Sequence, residues 1–123
     1  MIDRDNNTIL TRREGPVLRL TLSRPEVLNA INGCMLVEIR EALGLAAKDP
    51  EVRVVLIDSA GDRAFSAGID VAYVKDMEGL AAREVGRELH RTFLALRTLE
   101  KPIVCAIDVR SSNISAVRPR YSL

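Results

Sequence analysis

Two short stretches of this chain are apolar at every position, and they restrict its fold more than any other feature. They are Val54-Val55-Leu56-Ile57 and Ile103-Val104-Cys105-Ala106-Ile107. A strand with apolar side chains on both faces is typical of a mostly parallel sheet that is covered on both sides. We therefore predict strands over residues 52–57 and 103–107, and we predict that the first of them is central in such a sheet.

Four further elements accompany these strands and set the fold class. Residues 8–13 and 17–22 are predicted strands of a hairpin, with a turn at Glu14-Gly15-Pro16. The spacing of apolar residues predicts helices over residues 33–48 and 80–99. The order strand, strand, helix, strand, helix, strand predicts an α/β fold with parallel strands after the opening hairpin.

The helices allow more detailed predictions. Asn32 is the predicted N-cap of the first helix. We interpret the charged residues of the second helix, Glu88 among them, as a solvated face with pairs one turn apart. Cys34 and Cys105 are predicted to be reduced core residues. The apolar residues predicted to share the buried face of the second helix are Val85, Leu89, Phe93, Leu96 and Leu99.

Composition argues against several classes of function. The formal net charge is +1, so there is no electrostatic argument for binding to nucleic acid or to an anionic membrane. No apolar run approaches the roughly 20 residues that a membrane span needs. The polar residues 1–7 do not resemble a signal peptide. We expect one cytoplasmic domain with no nucleic-acid partner and no membrane partner.

The residues that follow the first apolar strand form the most informative motif for function. They are Arg63-Ala64-Phe65-Ser66-Ala67-Gly68-Ile69-Asp70. A turn of small residues that contains glycine leaves main-chain N–H groups accessible to a cleft. Such groups can stabilise a carbonyl oxygen that gains negative charge during a reaction. Taken alone, such a motif is more often a common small-residue turn than a site, and these residues leave both interpretations open.

Other candidate groups have simpler structural interpretations. Ser66 does not lie in a Gly-x-Ser-x-Gly motif, and no catalytic triad can be assembled around it. Asp58 and Asp70 flank the motif and could be paired acids, although their residue type favours loop caps or turn acceptors. His90 has no Cys or Asp at ligand spacing, so no metal site is predicted.

In combination, three segments of the chain resemble the enoyl-CoA hydratase/isomerase family, also called the crotonase superfamily. Residues 20–32, Leu-Thr-Leu-Ser-Arg-Pro-Glu-Val-Leu-Asn-Ala-Ile-Asn, look like the family's strand, Arg-Pro turn and Asn-Ala approach to its first helix. Residues 64–70 are similar to its first oxyanion loop. Residues 101–107, Lys-Pro-Ile-Val-Cys-Ala-Ile, are similar to the strand before its second oxyanion loop.

The resemblance implies a fold and a site. The fold would be the N-terminal half of a spiral of strand-strand-helix units. The backbone N–H of Ile69 would be the catalytic group, donating to the acyl thioester oxygen, and Asp70 would brace the following turn. Coenzyme A would arrive as part of an acyl-CoA thioester substrate, so no separate cofactor is implied. The substrate-binding residues implied in this way are Val27, Leu28, Ser66, Ala67, Gly68, Ile69 and Asp70.

The sequence departs from the family pattern after Ile107. There the family has a glycine-rich loop with a second oxyanion donor, then catalytic acids and the helices through which it forms trimers. Here Asp108-Val109-Arg110-Ser111 contains no glycine. We therefore expect a partial crotonase-like domain over residues 1–107 and a divergent, disordered tail over 108–123. The strand over 103–107 would then lack cover and pair readily with other chains.

Two functions remain open at this point. The first is an acyl-CoA-binding protein that resembles enzymes hydrating or isomerising an enoyl-CoA thioester, and that is inactive because it has one oxyanion donor and no acid pair. The second is a non-catalytic remnant that binds acyl-CoA weakly or pairs with a full-length relative. A shifted reading frame, an alternative exon or a degraded gene would each account for the tail.

Overall fold

The computed structural model describes Ile2, residues 4–107 and, for the backbone alone, residues 120–122. Within this part of the chain, one sheet contains β1 (Arg4–Asp5), β2 (Ile9–Glu14), β3 (Val17–Leu22), β4 (Val54–Ser59), β5 (Ile103–Ile107) and β6 (Arg120–Ser122). The spatial order of the strands follows the chain. Strands β1, β2 and β3 are antiparallel, β3, β4 and β5 are parallel, and β6 is antiparallel to β5.

Among the described residues, three helices and one short turn connect these strands. Helix α1 covers Gly33–Lys48, α2 covers Val71–Val74, and α3 covers Leu80–Thr98, while a 3-10 turn covers Pro25–Val27. The predicted cap of α1 is confirmed, because the Asn32 Oδ1 accepts a hydrogen bond from the Met35 N–H at 3.0 Å. None of the described helices is both long and apolar enough to span a membrane.

The core lies between α1 and one face of the sheet. Leu18 and Leu20 of β3, Met35 of α1 and Val55 of β4 are fully buried there. Strand β4 pairs in parallel with both β3 and β5, so its predicted central position is confirmed, as is the α/β fold. On the opposite face of β4, Leu56 is half-buried, so the double cover predicted for this strand is only partial among the described residues.

Helix α3 packs on α1 through a partly polar contact that the apolar spacing did not indicate. Thr92 is buried and its Oγ1 accepts from the Arg40 Nη1 at 3.1 Å, while Phe93 is 58% exposed, so its predicted place on the buried face is wrong. Arg40 also lies 2.6 Å from the carboxylate of Glu88. The hydrogen bond from Arg40 holds the pKa of Glu88 below its usual value. Glu88 therefore belongs to the helix contact rather than to a solvated face.

The two cysteines differ in environment. Both are free. Cys105 lies on β5 against the core, and burial raises the pKa of its thiol. Cys34, in the first turn of α1, is exposed, so the prediction that it is a core residue is wrong. It lies beside Gly33 at the N-terminal end of the helix, outside the buried stripe that begins with Met35 and Leu36.

The end of the chain differs in part from the predicted disorder. Backbone pairs join Cys105 to Ser122, Ala106 to Tyr121 and Ile107 to Arg120. For these three tail residues the structure has a strand, because the open side of β5 supplies backbone hydrogen-bonding groups. That side of β5 is therefore occupied at residues 105–107. The rest of the predicted tail lies outside the described residues, and the boundary at residue 107 stays a prediction.

Replacing Leu20 with alanine tests the assigned core. Leu20 is 0% exposed, whereas Leu80, at the start of α3, is 81% exposed. We expect Leu20→Ala to lower the free energy of unfolding by about 2–5 kcal/mol, because a cavity forms. The matched control, Leu80→Ala, should change it by less than about 0.5 kcal/mol. Urea unfolding followed by circular dichroism measures both, and equal losses would contradict this assignment.

Candidate functional site

The candidate site forms where two segments leave neighbouring parallel strands. We call residues 24–32, after β3, the connecting segment, and residues 60–70, after β4, the site loop. Three backbone hydrogen bonds join them. Ala67 N–H donates to the Leu28 carbonyl at 2.9 Å, Ile31 N–H to the Gly68 carbonyl at 2.8 Å, and Asp70 N–H to the Ile31 carbonyl at 2.7 Å. The last part of the loop, residues 67–70, is therefore held against the connecting segment.

The N–H of Ile69 is left without an acceptor among the described residues. Ile69 forms a parallel bridge with Ile31, in which Ile31 uses its own N–H and carbonyl toward the residues on either side of Ile69. In such a bridge the polar groups of the facing residue point away from its partner. The residue Ile69 is 37% exposed. A backbone donor of this kind can bind a carbonyl oxygen.

The glycine of the motif shapes the turn before this donor. Gly68 has a φ of 91°, a conformation that side chains oppose. Its N–H donates to the Ser66 Oγ at 3.1 Å, and the Ser66 hydroxyl donates to the Asn29 carbonyl at 2.8 Å. Ser66 therefore has a structural role, as its sequence context indicated. Ala67, the small residue between them, is exposed.

Asp70 braces the turn, as the resemblance implied. Its Oδ1 accepts from the Ala72 N–H at 2.9 Å and caps α2. Its Oδ2 accepts from the Arg24 Nη1 at 3.1 Å, in an ion pair whose two side chains are largely buried. The same Arg24 nitrogen donates to the Ala30 carbonyl at 2.6 Å. This carboxylate is therefore committed to structure.

Asp58, the other acid flanking the motif, is also committed. Its Oδ2 accepts from the Arg19 Nε at 2.7 Å, and its Oδ1 accepts from the Thr21 hydroxyl at 2.6 Å. The hydrogen bond to Asp58, with added Coulomb attraction, raises the pKa of the Arg19 guanidinium. Neither acid is therefore a free proton carrier, which agrees with the favoured interpretation as structural acceptors.

Asn29 is a residue of the site to which the sequence analysis assigned no role. Its Oδ1 accepts from the Arg24 N–H at 2.7 Å, and its Nδ2 donates to the Ala60 carbonyl at 2.9 Å and to the Ala64 carbonyl at 3.2 Å. Its φ is 55°. An asparagine in a short apolar stretch was the available signal, because asparagine tolerates this conformation and bonds to nearby backbone.

A small cavity of about 90 Å³ lies beside the first half of the site loop. Of the predicted site residues, Leu28 lines it, while Val27 lies exposed in the adjacent 3-10 turn. Ile69 is not among its lining residues, so the Ile69 N–H does not face this cavity. Ligand pockets usually enclose about 300–1,000 Å³. The cavity is therefore too small to enclose a ligand of that size. Its lining consists of Pro25, Leu28, Asn29 and residues 60–64.

In the part of the chain that the structure describes, no group of three or more His, Cys, Asp or Glu side chains could hold a metal ion. His90 lies exposed on α3.

The chain is similar to several known proteins. Residues 17–108 match the family model described as "Enoyl-CoA hydratase/isomerase". The chain is 34% identical over 102 residues to a short-chain-enoyl-CoA hydratase of Clostridium acetobutylicum, covering 83% of this chain and 39% of that protein. It is 37% identical over 113 residues to the mitochondrial 3-hydroxyisobutyryl-CoA hydrolase of Xenopus laevis, covering 85% of this chain and 28% of that protein.

A solved structure shares the fold. The crystal structure of an enoyl-CoA hydratase/carnithine racemase from Magnetospirillum magneticum superposes with a TM-score of 0.80 at 26% identity. The alignment covers 85% of this chain and 40% of that one. The implied crotonase-like fold is therefore confirmed, and the chain spans well under half the length of the relatives it matches.

Alanine at the motif glycine tests the backbone of the site loop. No atom lies within 4 Å of the position that a Cβ would take at Gly68 or at Gly44, so neither substitution clashes. Because of its φ, Gly68→Ala should lower the free energy of unfolding by about 1–2 kcal/mol. Gly44→Ala, inside α1, should raise it by about 0.5–1 kcal/mol. Urea unfolding compares them, and a stabilising effect at position 68 would contradict the turn geometry.

Proposed function

Because this chain belongs to the enoyl-CoA hydratase/isomerase family, we propose that it binds an acyl-CoA thioester with the carbonyl oxygen at the Ile69 N–H. One observation supports this more than any other. The hydrogen bonds between the site loop and the connecting segment engage the N–H groups of Ala67 and Asp70 and leave that of Ile69 without an acceptor among the described residues. A donor held in this way needs no reorganisation to receive a developing oxyanion.

The remaining predicted substrate-binding residues have supporting roles in this proposal. Gly68 gives the turn its conformation, and Ser66 takes up the Gly68 N–H, so the next donor along the chain is the one presented. Val27 and Leu28 would face the coenzyme A portion, beside the exposed Ala67. Coenzyme A is part of the substrate, and no separate cofactor is proposed.

The described residues supply one part of the chemistry of this family. Hydration or isomerisation of an enoyl-CoA needs carboxylates to move protons or activate water. Asp58 and Asp70 accept hydrogen bonds from Arg19 and Arg24, respectively, which opposes a role as proton carriers. We therefore propose that the described part of the chain binds the thioester and does not by itself turn it over. The same observation favours the alternative of a non-catalytic binder of acyl-CoA.

We also propose a cytoplasmic location. Both cysteines are free, which is usual in a reducing compartment.

Removing one backbone donor tests the proposed binding mode. Ile69→Pro lacks the N–H, whereas the control Ile69→Ala keeps it and shortens the side chain. We expect Ile69→Pro to weaken binding of butyryl-CoA, a saturated thioester that cannot be hydrated, about 3–10-fold, the value of one net hydrogen bond. Binding of free coenzyme A should not change, because it has no thioester carbonyl. Isothermal titration calorimetry measures both ligands.

If Ile69→Pro bound butyryl-CoA as tightly as the unaltered protein, the thioester oxygen would not lie at this N–H. Equal weakening in Ile69→Ala would point to the side chain instead.

A protein of these 123 residues should not hydrate crotonyl-CoA measurably. Loss of one oxyanion donor lowers the rate about 10²–10³-fold, and loss of general acid–base catalysis lowers it about 10²–10⁴-fold. The absorbance of the enoyl thioester should therefore fall no faster than in buffer. A rate proportional to protein concentration and absent in Ile69→Pro would show that these 123 residues do suffice.

A further inference from the structure

We propose that Asn29 is a positioning residue for the Ile69 N–H, acting on the site loop through its amide side chain and its own carbonyl. This inference rests on the proposed function, because the donor it positions is the one assigned to the thioester oxygen. Asn29 does not touch that donor. It is the residue through which the connecting segment contacts both the start and the middle of the loop.

The side-chain amide of Asn29 holds the start of the loop. The side chain is 1% exposed, and all its hydrogen-bonding atoms have partners in the protein. The oxygen accepts from the backbone N–H of Arg24, which fixes the orientation of the amide. The nitrogen then points both protons at carbonyls of the loop, those of Ala60 and Ala64. A buried amide of this kind strongly favours one arrangement, because unpaired carbonyls would remain in any other.

The backbone carbonyl of Asn29 reaches the middle of the loop. It accepts from the Ser66 hydroxyl at 2.8 Å, and the Ser66 oxygen in turn accepts from the Gly68 N–H at 3.1 Å. This relay ends one residue before Ile69. It takes up the N–H that precedes the proposed donor and so fixes the orientation of the peptide groups next to it.

The backbone conformation at Asn29 makes both contacts possible. Leu28 and Asn29 have φ values of 56° and 55°, so two successive residues are left-handed. This double turn directs the Leu28 carbonyl to the Ala67 N–H and the Asn29 carbonyl to Ser66. Asparagine, aspartate and glycine adopt this conformation at low cost. They can therefore be exchanged at position 29 with little change in backbone strain.

Asn29→Asp is the sharpest test, because it keeps the shape, the acceptor for Arg24 and the tolerance of a left-handed backbone, and removes both N–H donors. Asn29→Gly removes the whole side chain without placing a charge in the site. The matched control is Asn32→Asp, since Asn32 uses only its acceptor oxygen, toward Met35 N–H, and aspartate caps a helix equally well. Ser66→Ala cuts the relay alone, which keeps the test available if both Asn29 variants fail to fold.

The first measurement is amide hydrogen exchange of the free protein by NMR. In Asn29→Asp and Asn29→Gly, the N–H groups of Ala67 and Asp70 should exchange at least tenfold faster, while those of β3 and β4 change less than threefold. Ser66→Ala should accelerate exchange of the Gly68 N–H, which loses its acceptor, and leave the strand amides unchanged, while Asn32→Asp should match the unaltered protein. Equal acceleration of loop and strand amides would mean that Asn29 merely stabilises the fold. Unchanged exchange at Ala67 and Asp70 would overturn the proposal.

The second measurement separates this inference from the proposed function. Butyryl-CoA is titrated into labelled protein while the Ile69 amide resonance is followed. We expect a shift at saturation in the unaltered protein and in Asn32→Asp, and less than one third of that shift in the Asn29 variants. No response in the unaltered protein would contradict the proposed thioester site, and the exchange data would still decide whether Asn29 positions the loop. A full shift in the Asn29 variants would overturn the positioning role alone.

Discussion

The parallel pairing of β3 with β4 is the interaction on which the rest of this structure depends. Six residues of each strand are in register, from Val17 opposite Val54 to Leu22 opposite Ser59. Parallel strands end at the same edge of a sheet, so the chain leaves both of them side by side. The connecting segment and the site loop start from that edge, and Ala60 N–H still donates to the Leu22 carbonyl as they depart. Isolated backbone hydrogen bonds between these two segments therefore continue the pairing of β3 and β4 beyond the sheet.

The same geometry explains why the Ile69 N–H has no acceptor among the described residues. In a pair of parallel strands, a residue that bonds across the ladder directs both its N–H and its carbonyl to the partner strand. The residue that faces it directs its own N–H and carbonyl away from that strand. At the bridge between Ile31 and Ile69, the groups of Ile31 face the loop and those of Ile69 face away from it. In the interior of a sheet a third strand would take up such a group. Here the chain turns into α2 instead, and no described residue accepts from this donor.

The features that depend on local pattern could be predicted from the sequence. Alternating and continuous apolar runs gave the bounds of β3 and β5, and the asparagine before Gly33 gave the start of α1. The motif glycine and its neighbours located the loop. The interior face of α3 was assigned wrongly at Phe93, because spacing identifies a stripe of a helix but does not reveal a buried contact between Arg40 and Thr92. The role of Asn29 was missed for a related reason, since its partners lie in a distant part of the chain.

The distance along the chain between the two halves of the site has a consequence for how the molecule folds. Asn29 and Ser66 are separated by 37 residues, whereas β2 and β3 are joined by the short turn at Gly15 and Pro16. The entropy lost on closing a loop grows with its length, and contacts between distant residues form late for that reason. The hairpin is thus expected to form early and the turn at Ser66 and Gly68 among the last elements. Opening of the site loop then costs less than global unfolding, so the loop can open and close again while the sheet beneath it stays folded.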